Sequence, residues 1–219
     1  MPPAAPPEGI RGPRFLLALG ALLIGLGALL GLAVAIGGEE PPLDTAWNRL
    51  MGDARAAAPL VDVAHVLDRA GGGWIGTWVV PLVFALVVAL FWRGRAAVFA
   101  VAAMAASALA VQGVKHLIAR PRPEDMLVTS DFGSFPSGHT AHAATIAAVL
   151  VILAPRAWAY VVGALWTLAM ALSRTLLGAH WLTDTLGGAL IGAGTACAVA
   201  GFLFHVAGLG EQGRRPDDA

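Results

Sequence analysis

The chain has 219 residues, of which 58% are hydrophobic and 13% charged, and its 14 Lys and Arg balance 14 Asp and Glu. A soluble domain carries roughly 25% charged residues, so a water-soluble globule is excluded and most of the chain belongs in lipid, in line with a mean hydropathy of +0.73. Zero net charge gives a nucleic-acid partner no support, and the lone Cys197 excludes both a disulfide framework and a thiolate metal cluster.

Residues 1–14 are rich in proline and alanine and read as a disordered cytoplasmic N-terminus. The apolar run 15–36 follows Arg11 and Arg14 and exceeds the roughly 7–15 residues of a signal-peptide core. It reads as a retained first span. The acid-rich segment 37–73 reads as non-spanning and outside the bilayer. Within it, Pro59 opens a short helix on which Leu60, Val63, Ala64 and Leu67 share a face. That helix either lies on the bilayer surface or packs against the bundle.

A second span, 74–92, is bracketed by Trp74, Trp78 and Trp92 as interface anchors. Arg93-Gly94-Arg95 turns the chain into a third span, 96–116. A polar loop follows at 117–136, with Pro121 and Pro123. The fourth span starts at Ser137–His139 and ends before Pro155-Arg156. The fifth covers 157–173, and a linker containing Gly178 leads to the sixth, 180–205. The tail 206–219 is polar and cytoplasmic. Each run approaches the roughly 20 apolar residues a helix needs to cross a bilayer, and none shows the two-residue alternation of a membrane barrel. The expected fold is all-α, a six-transmembrane-helix bundle over 15–205 with 37–73 as an outer segment.

Six crossings put both termini on one face. The connections and ends on that face sum to a formal charge of +3, against −3 on the other. The positive-inside rule makes the positive face cytoplasmic. Lys115 ends the third span, His139 begins the fourth, Arg174 ends the fifth and His180 begins the sixth, so all four reach the outer face. Ionised groups near apolar spans are costly unless paired or functional. A structural salt-bridge network would need carboxylates beside these cations, and the clusters themselves offer chiefly Asp184. The surplus of cations points to an incoming anion.

His180 and Asp184 are one helical turn apart, so a carboxylate on one imidazole nitrogen leaves the other as a nucleophile. His139, after Ser137-Gly138, sits at a helix start, where backbone amides bind phosphate oxygens and an imidazolium can protonate a leaving oxygen. Lys115, Arg122 and Arg174 suit the equatorial oxygens of a phosphoryl group. Arg120 lies in the loop and reads as a solvated cation, with anion steering as the alternative. His142 reads as helix packing.

Lys115-(six residues)-Arg122-Pro123, Pro136-Ser137-Gly138-His139 and Ser173-Arg174-(five residues)-His180-(three residues)-Asp184 together resemble the three-part signature of the type 2 phosphatidic acid phosphatase (PAP2) superfamily, in its membrane-bound lipid phosphatase branch. The motifs cover residues 115–184, and the six-span layout is similar to that branch rather than to the soluble haloperoxidases that share the core. The resemblance implies that His180 forms a phosphohistidine, assisted by Asp184. It implies that His139 protonates the leaving group and later activates water, and that Lys115, Arg122, Ser137, Gly138 and Arg174 bind phosphate. Pro123 and Pro136 would shape their loops, and Ser173 would support Arg174. No metal or other cofactor is implied.

The expected substrate is a membrane lipid phosphate or diphosphate, first of all undecaprenyl diphosphate, with phosphatidylglycerol phosphate or phosphatidic acid as the alternative. The expected place is the inner membrane of a bacterium, with the site facing outward. A lipid transporter would instead need polar groups at mid-membrane. A noncatalytic assembly protein would use small-residue faces such as Gly27/Gly31 and Gly188/Gly192 and would not need both histidines and Asp184 together.

Overall fold

A computed structural model describes residues 12–38, 40–92 and 94–209. Arg93, most of the N-terminal arm and most of the tail lie outside the described residues. Eight α-helices form among the described residues: α1 (Pro13–Gly37), α2 (Pro42–Ala54), α3 (Ala58–Gly71), α4 (Val80–Phe91), α5 (Gly94–Ile118), α6 (Gly138–Leu153), α7 (Ala157–Leu176) and α8 (Leu182–Phe202), with one π-helical turn, Ile75–Val79, ahead of α4. Prolines at the first turns of α1, α2 and α3 start those helices where a missing N–H costs nothing, whereas Pro81 follows the π turn.

The protein is an all-α, multi-pass membrane protein. Among the described residues, four helices (α1, α5, α7 and α8) are long and apolar enough to cross a membrane. The expectation of six long spans is corrected at two places. The second apolar run is a bent pair, in which α3 meets the π turn and α4 at 53°. The break falls at Gly71-Gly72-Gly73, where the backbone has the least reason to stay helical. The fourth run, α6, has only 16 residues, about 24 Å at 1.5 Å per residue, because Pro155 follows its end.

α8 and α6 form the centre, with α1, α5 and α7 packed around them. Their backbones approach closely because the contact residues are small. A Cβ on Gly192 would strike the Ala141 backbone, and one on Gly188 the Ser137 carbonyl. Thr145 Oγ1 donates to the Gly192 carbonyl (3.2 Å) across the same seam. Gly20, Gly27 and Gly31 let α1 lie on α8 and on Phe135 in the same way. These glycines are internal packing surfaces.

The segment 37–73 is two helices, and α3 packs on α7 and α6 rather than projecting into lipid. Its buried stripe is rotated from the expected one. Ala64 is buried and Leu67 half-buried, whereas Leu60 and Val63 are exposed, and the half-buried Val61 and Asp68 turn inward beside Ala64 instead. A polar residue belongs to it because Asp68 has a buried cation to meet.

Candidate active site

Every cluster singled out from the sequence comes to one end of the bundle. Lys115 lies in the last turn of α5, Arg174 in the last turn of α7, and Ser137 caps α6. His180 is not in the sixth helix. It sits in the turn before α8, which begins at Leu182, and Asp184 in the first turn reaches back to accept the Trp181 N–H at 2.9 Å. That reach brings Asp184 Oδ2 to 3.5 Å from His180 Nδ1, an ion-pair distance without aligned hydrogen-bond geometry. The other ring nitrogen, Nε2, lies 3.2 Å from Arg122 Nη1. A guanidinium only donates, so Nε2 is the acceptor and the ring proton belongs on Nδ1, facing Asp184.

Arg122 also donates to the Ala179 carbonyl (2.5 Å), the Gly133 carbonyl (2.7 Å) and Asp131 Oδ1 (2.7 Å). Lys115 Nζ donates to the same Asp131 oxygen (3.0 Å) and to the Gly133 carbonyl (2.9 Å). Arg174 Nη1 pairs with Asp68 Oδ1. His139 Nε2 lies 3.3 Å from that oxygen and 3.1 Å from the Asp68 carbonyl. Gly71 and Gly72 press on the His139 ring so closely that a Cβ on either would overlap it. Ser173 Oγ turns away to the Met170 carbonyl (2.8 Å). Pro123 and Pro136 stand in the two loops that carry Arg122 and Ser137.

Two expectations change here. Ser137 is fully buried; its hydroxyl accepts from Thr140, and its N–H is taken by the Asp184 carbonyl (2.9 Å). It is engaged as an N-cap, which leaves the amides of Gly138 and His139, without intrahelical partners, at the helix start. The surplus of cations also disappears. Carboxylates from outside the motifs, Asp68 on α3 and Asp131 in the 117–136 loop, cover Lys115, Arg122 and Arg174.

The two kinds of counter-ion differ in burial. Asp68 and Asp131 side chains are 25% and 54% exposed, whereas Lys115, Arg122 and Arg174 are 2%, 8% and 1% exposed. An exposed carboxylate leaves at little cost because water receives it; a buried cation then needs another anion. Arg174 Nε and His180 Nδ1 are buried without hydrogen-bond partners among the described residues.

The electrostatics agree with that. Burial first, then the positive charge of Arg122, Arg174 and Lys115, holds the His180 imidazole well below its ordinary value. Burial raises Asp131, but Lys115 and Arg122 outweigh it and hold its carboxyl below the usual range. Burial lowers Arg122 despite Asp131 and Asp184 nearby.

Arg120 departs furthest from expectation. It is 5% exposed, not solvated, and it binds three carboxylates, Glu40 and Asp44 around the start of α2 and Asp184 at the start of α8. Asp44, Asp68 and Glu40 were not singled out from the sequence. The available signal for Asp68 was its place seven residues after Val61 on one helical face.

The PAP2 superfamily profile matches residues 96–206 of this chain. The chain belongs to the PAP2 superfamily. Within solved PAP2 structures, the transmembrane phosphatidylglycerolphosphate phosphatase of Bacillus subtilis superposes with a TM-score of 0.64, covering 90% of this chain and 98% of that one at 21% identity. LpxE of Aquifex aeolicus gives a TM-score of 0.62 over 75% of this chain and 98% of its own, at 26% identity. In sequence, the undecaprenyl-diphosphatase of Sulfolobus acidocaldarius is 32% identical over 72 residues, 33% of this chain. The match spans about a third of that relative's length, at 31%. The family match covers α5–α8; α2 and α3 pack against α7 at the end of the bundle that carries the site.

Proposed function

We propose that this protein is a membrane phosphatase acting on a lipid phosphate group through a phosphohistidine intermediate. The observation that carries this is the clustering of the Lys115, Arg122 and Arg174 cations about His180, whose Nε2 accepts from Arg122 and is therefore unprotonated. Nε2 attacks phosphorus in line; the P–N bond forms as the P–O bond to the lipid breaks, and His139 gives the leaving oxygen its proton. Water then attacks the phosphohistidine, His139 takes the water's proton, and the P–N bond breaks to release inorganic phosphate. The three cations neutralise the equatorial oxygens throughout, and the amides of Gly138 and His139 add a helix N-terminus. The chemistry uses no metal.

The site favours a phosphate monoester over the diphosphate first expected. Three cations suit one phosphoryl group, and the fourth arginine nearby, Arg120, is already held by carboxylates. The structural likeness to the phosphatidylglycerolphosphate phosphatase also runs over far more of the chain than the match to the undecaprenyl-diphosphatase. Phosphatidylglycerol phosphate is therefore the first substrate to test and phosphatidic acid the second. Undecaprenyl diphosphate remains a second reading, on the strength of that 72-residue match. In the bilayer, the π turn with α4, and α6, complete six crossings with the four long helices, and the site faces the outer side of a bacterial inner membrane.

The test is phosphate release from these three lipids by the purified protein in mixed micelles with EDTA present. Turnover is expected, fastest on the monoesters. Folded protein that releases phosphate from none of them would end the phosphatase reading.

In this scheme the substrate phosphate must displace Asp68 from Arg174. Asp68→Asn is therefore expected to tighten inhibition by inorganic phosphate or vanadate by about tenfold, since a hydrogen bond to a charged group contributes roughly 1.5–3 kcal/mol and a decade corresponds to about 1.4 kcal/mol. An unchanged or weakened inhibition constant would show that Asp68 does not stand in the anion's place.

A further inference from the structure

Arg120 is built into the site behind Asp184, on the oxygen that does not face His180. Its Nη1 donates to Asp184 Oδ1 (2.7 Å) and to Thr183 Oγ1 (2.8 Å). Its Nη2 donates to Asp44 Oδ2 (2.8 Å) and to Glu40 Oε2 (2.6 Å). Asp44 is fully buried and fixes Thr183 twice, accepting from its N–H at 2.9 Å and from its hydroxyl at 2.6 Å. The guanidinium lies 5.3 Å from the Trp181 ring, and Trp181 Nε1 donates to the Pro121 carbonyl at 3.1 Å. One fork thus joins the loop after α5, the start of α2 and the first turn of α8.

The two oxygens of Asp184 are divided between these tasks. Oδ2 takes the Trp181 N–H and faces His180 Nδ1, while Oδ1 is held by Arg120. We propose that Arg120 is a positioning residue of the reaction: it fixes the rotation and charge of Asp184 so that Oδ2 holds the His180 proton on Nδ1, and Asp44 and Glu40 hold Arg120 in turn. The outer helix α2 is thereby part of the catalytic apparatus. The four hydrogen bonds of Arg120 go to Asp184, Thr183, Asp44 and Glu40 and not to His180, so it acts on the nucleophile through Asp184. This inference rests on the phosphatase reading for its kinetic consequences and on geometry for the tautomer it enforces.

A buried cation among three carboxylates is needed for folding as well, so the conservative Arg120→Lys is the informative change. A lysine keeps the charge but cannot fork between Asp184 and the Asp44–Glu40 side. In the full-length protein in micelles, Arg120→Lys is expected to lower kcat about 10- to 100-fold, the range seen when an outer partner of a reacting group is lost. KM and the vanadate inhibition constant should stay within about twofold, because no group that touches phosphate changes. Adding Arg120→Lys to Asp184→Asn should cost nothing further, since both act on one carboxylate. A raised vanadate constant with unchanged kcat would overturn the proposal in favour of direct anion binding, and additive losses would overturn it in favour of an independent structural role.

A second readout does not require turnover. Histidine 15N shifts, with His180→Gln for assignment, should show one Nδ1-protonated tautomer of His180 in the parent and a mixture in Arg120→Lys. An unchanged tautomer would overturn the proposal even if no lipid is hydrolysed, and a changed one would sustain it while the phosphatase reading fell separately.

Discussion

His180→Gln is expected to abolish phosphate release, by at least about 10³-fold, while the protein stays folded and still binds vanadate. Removing a nucleophile that forms a covalent intermediate leaves only binding and electrostatic assistance, and such losses reach about 10⁶ in a well-studied hydrolase. Glutamine fills a comparable volume at a site that is 2% exposed, and Lys115, Arg122 and Arg174 keep the anion subsite. Retained vanadate inhibition of phosphate binding, measured by competition, separates loss of chemistry from loss of the pocket. Residual turnover within tenfold of the parent would sink the phosphohistidine route. The pH response carries a second sign. Because burial and then the neighbouring cations hold His180 well below the ordinary imidazole value of 6.5, its ring is neutral at pH 6.5 and for some way below it. The folded state binds fewer protons there than the unfolded one, so His180 contributes a loss of stability as pH falls through 6.5 toward its folded value. His180→Gln should remove that part of the acid destabilisation, which thermal scans at a series of pH values would detect.

Gly192→Ala should unfold the protein more readily than any single-methyl change on the lipid face. The new Cβ would meet the Ala141 carbonyl group, with the carbonyl carbon at 2.8 Å and Cα at 2.9 Å. Backbone atoms in the middle of a helix cannot rotate away as a side-chain tip can, so α6 and α8 must separate. Overpacking of this sort costs about 3 kcal/mol at the upper end of the common range, or about 6–12 °C in melting temperature for a chain of this size. His139 rides on the first turn of α6, so activity should fall with stability. Gly25→Ala is the matched control, because nothing lies within 4 Å of a Cβ there. Equal melting temperatures for the two variants would mean that the α6–α8 contact is looser than described.

Much of the fold was legible because apolar runs and prolines mark helix lengths directly. The runs around 15–36, 96–116 and 157–173 became α1, α5 and α7, each slightly longer than expected. Parity along the chain was enough to gather Lys115, His139, Arg174 and His180 at one end. What the sequence hid was long-range pairing. Asp68 is 106 residues from Arg174, and Asp44 is 76 from Arg120. No local periodicity reports such partners, so Arg120 looked like a loop charge and Lys115, Arg122 and Arg174 looked unpaired. The bend between α3 and α4 was concealed for a different reason. Hydropathy measures residues but not direction, and three successive glycines at the end of α3 permit a turn without lowering the apolar count of the next run.

The shortness of α6 sets a depth. A helix of 16 residues is about 24 Å long, some 6 Å less than a hydrocarbon layer of roughly 30 Å. If its Leu153 end stands level with one interface, His139 lies below the plane of the other. On the phosphatase reading, a lipid phosphate anchored at that interface has only those few ångströms to sink before it meets the histidines. A phosphate ester dissolved in water would have to sink past the headgroups to reach them. Membrane thickness thus becomes a variable of catalysis: bilayers of shorter acyl chains should raise turnover on the same lipid headgroup, and thicker ones should lower it.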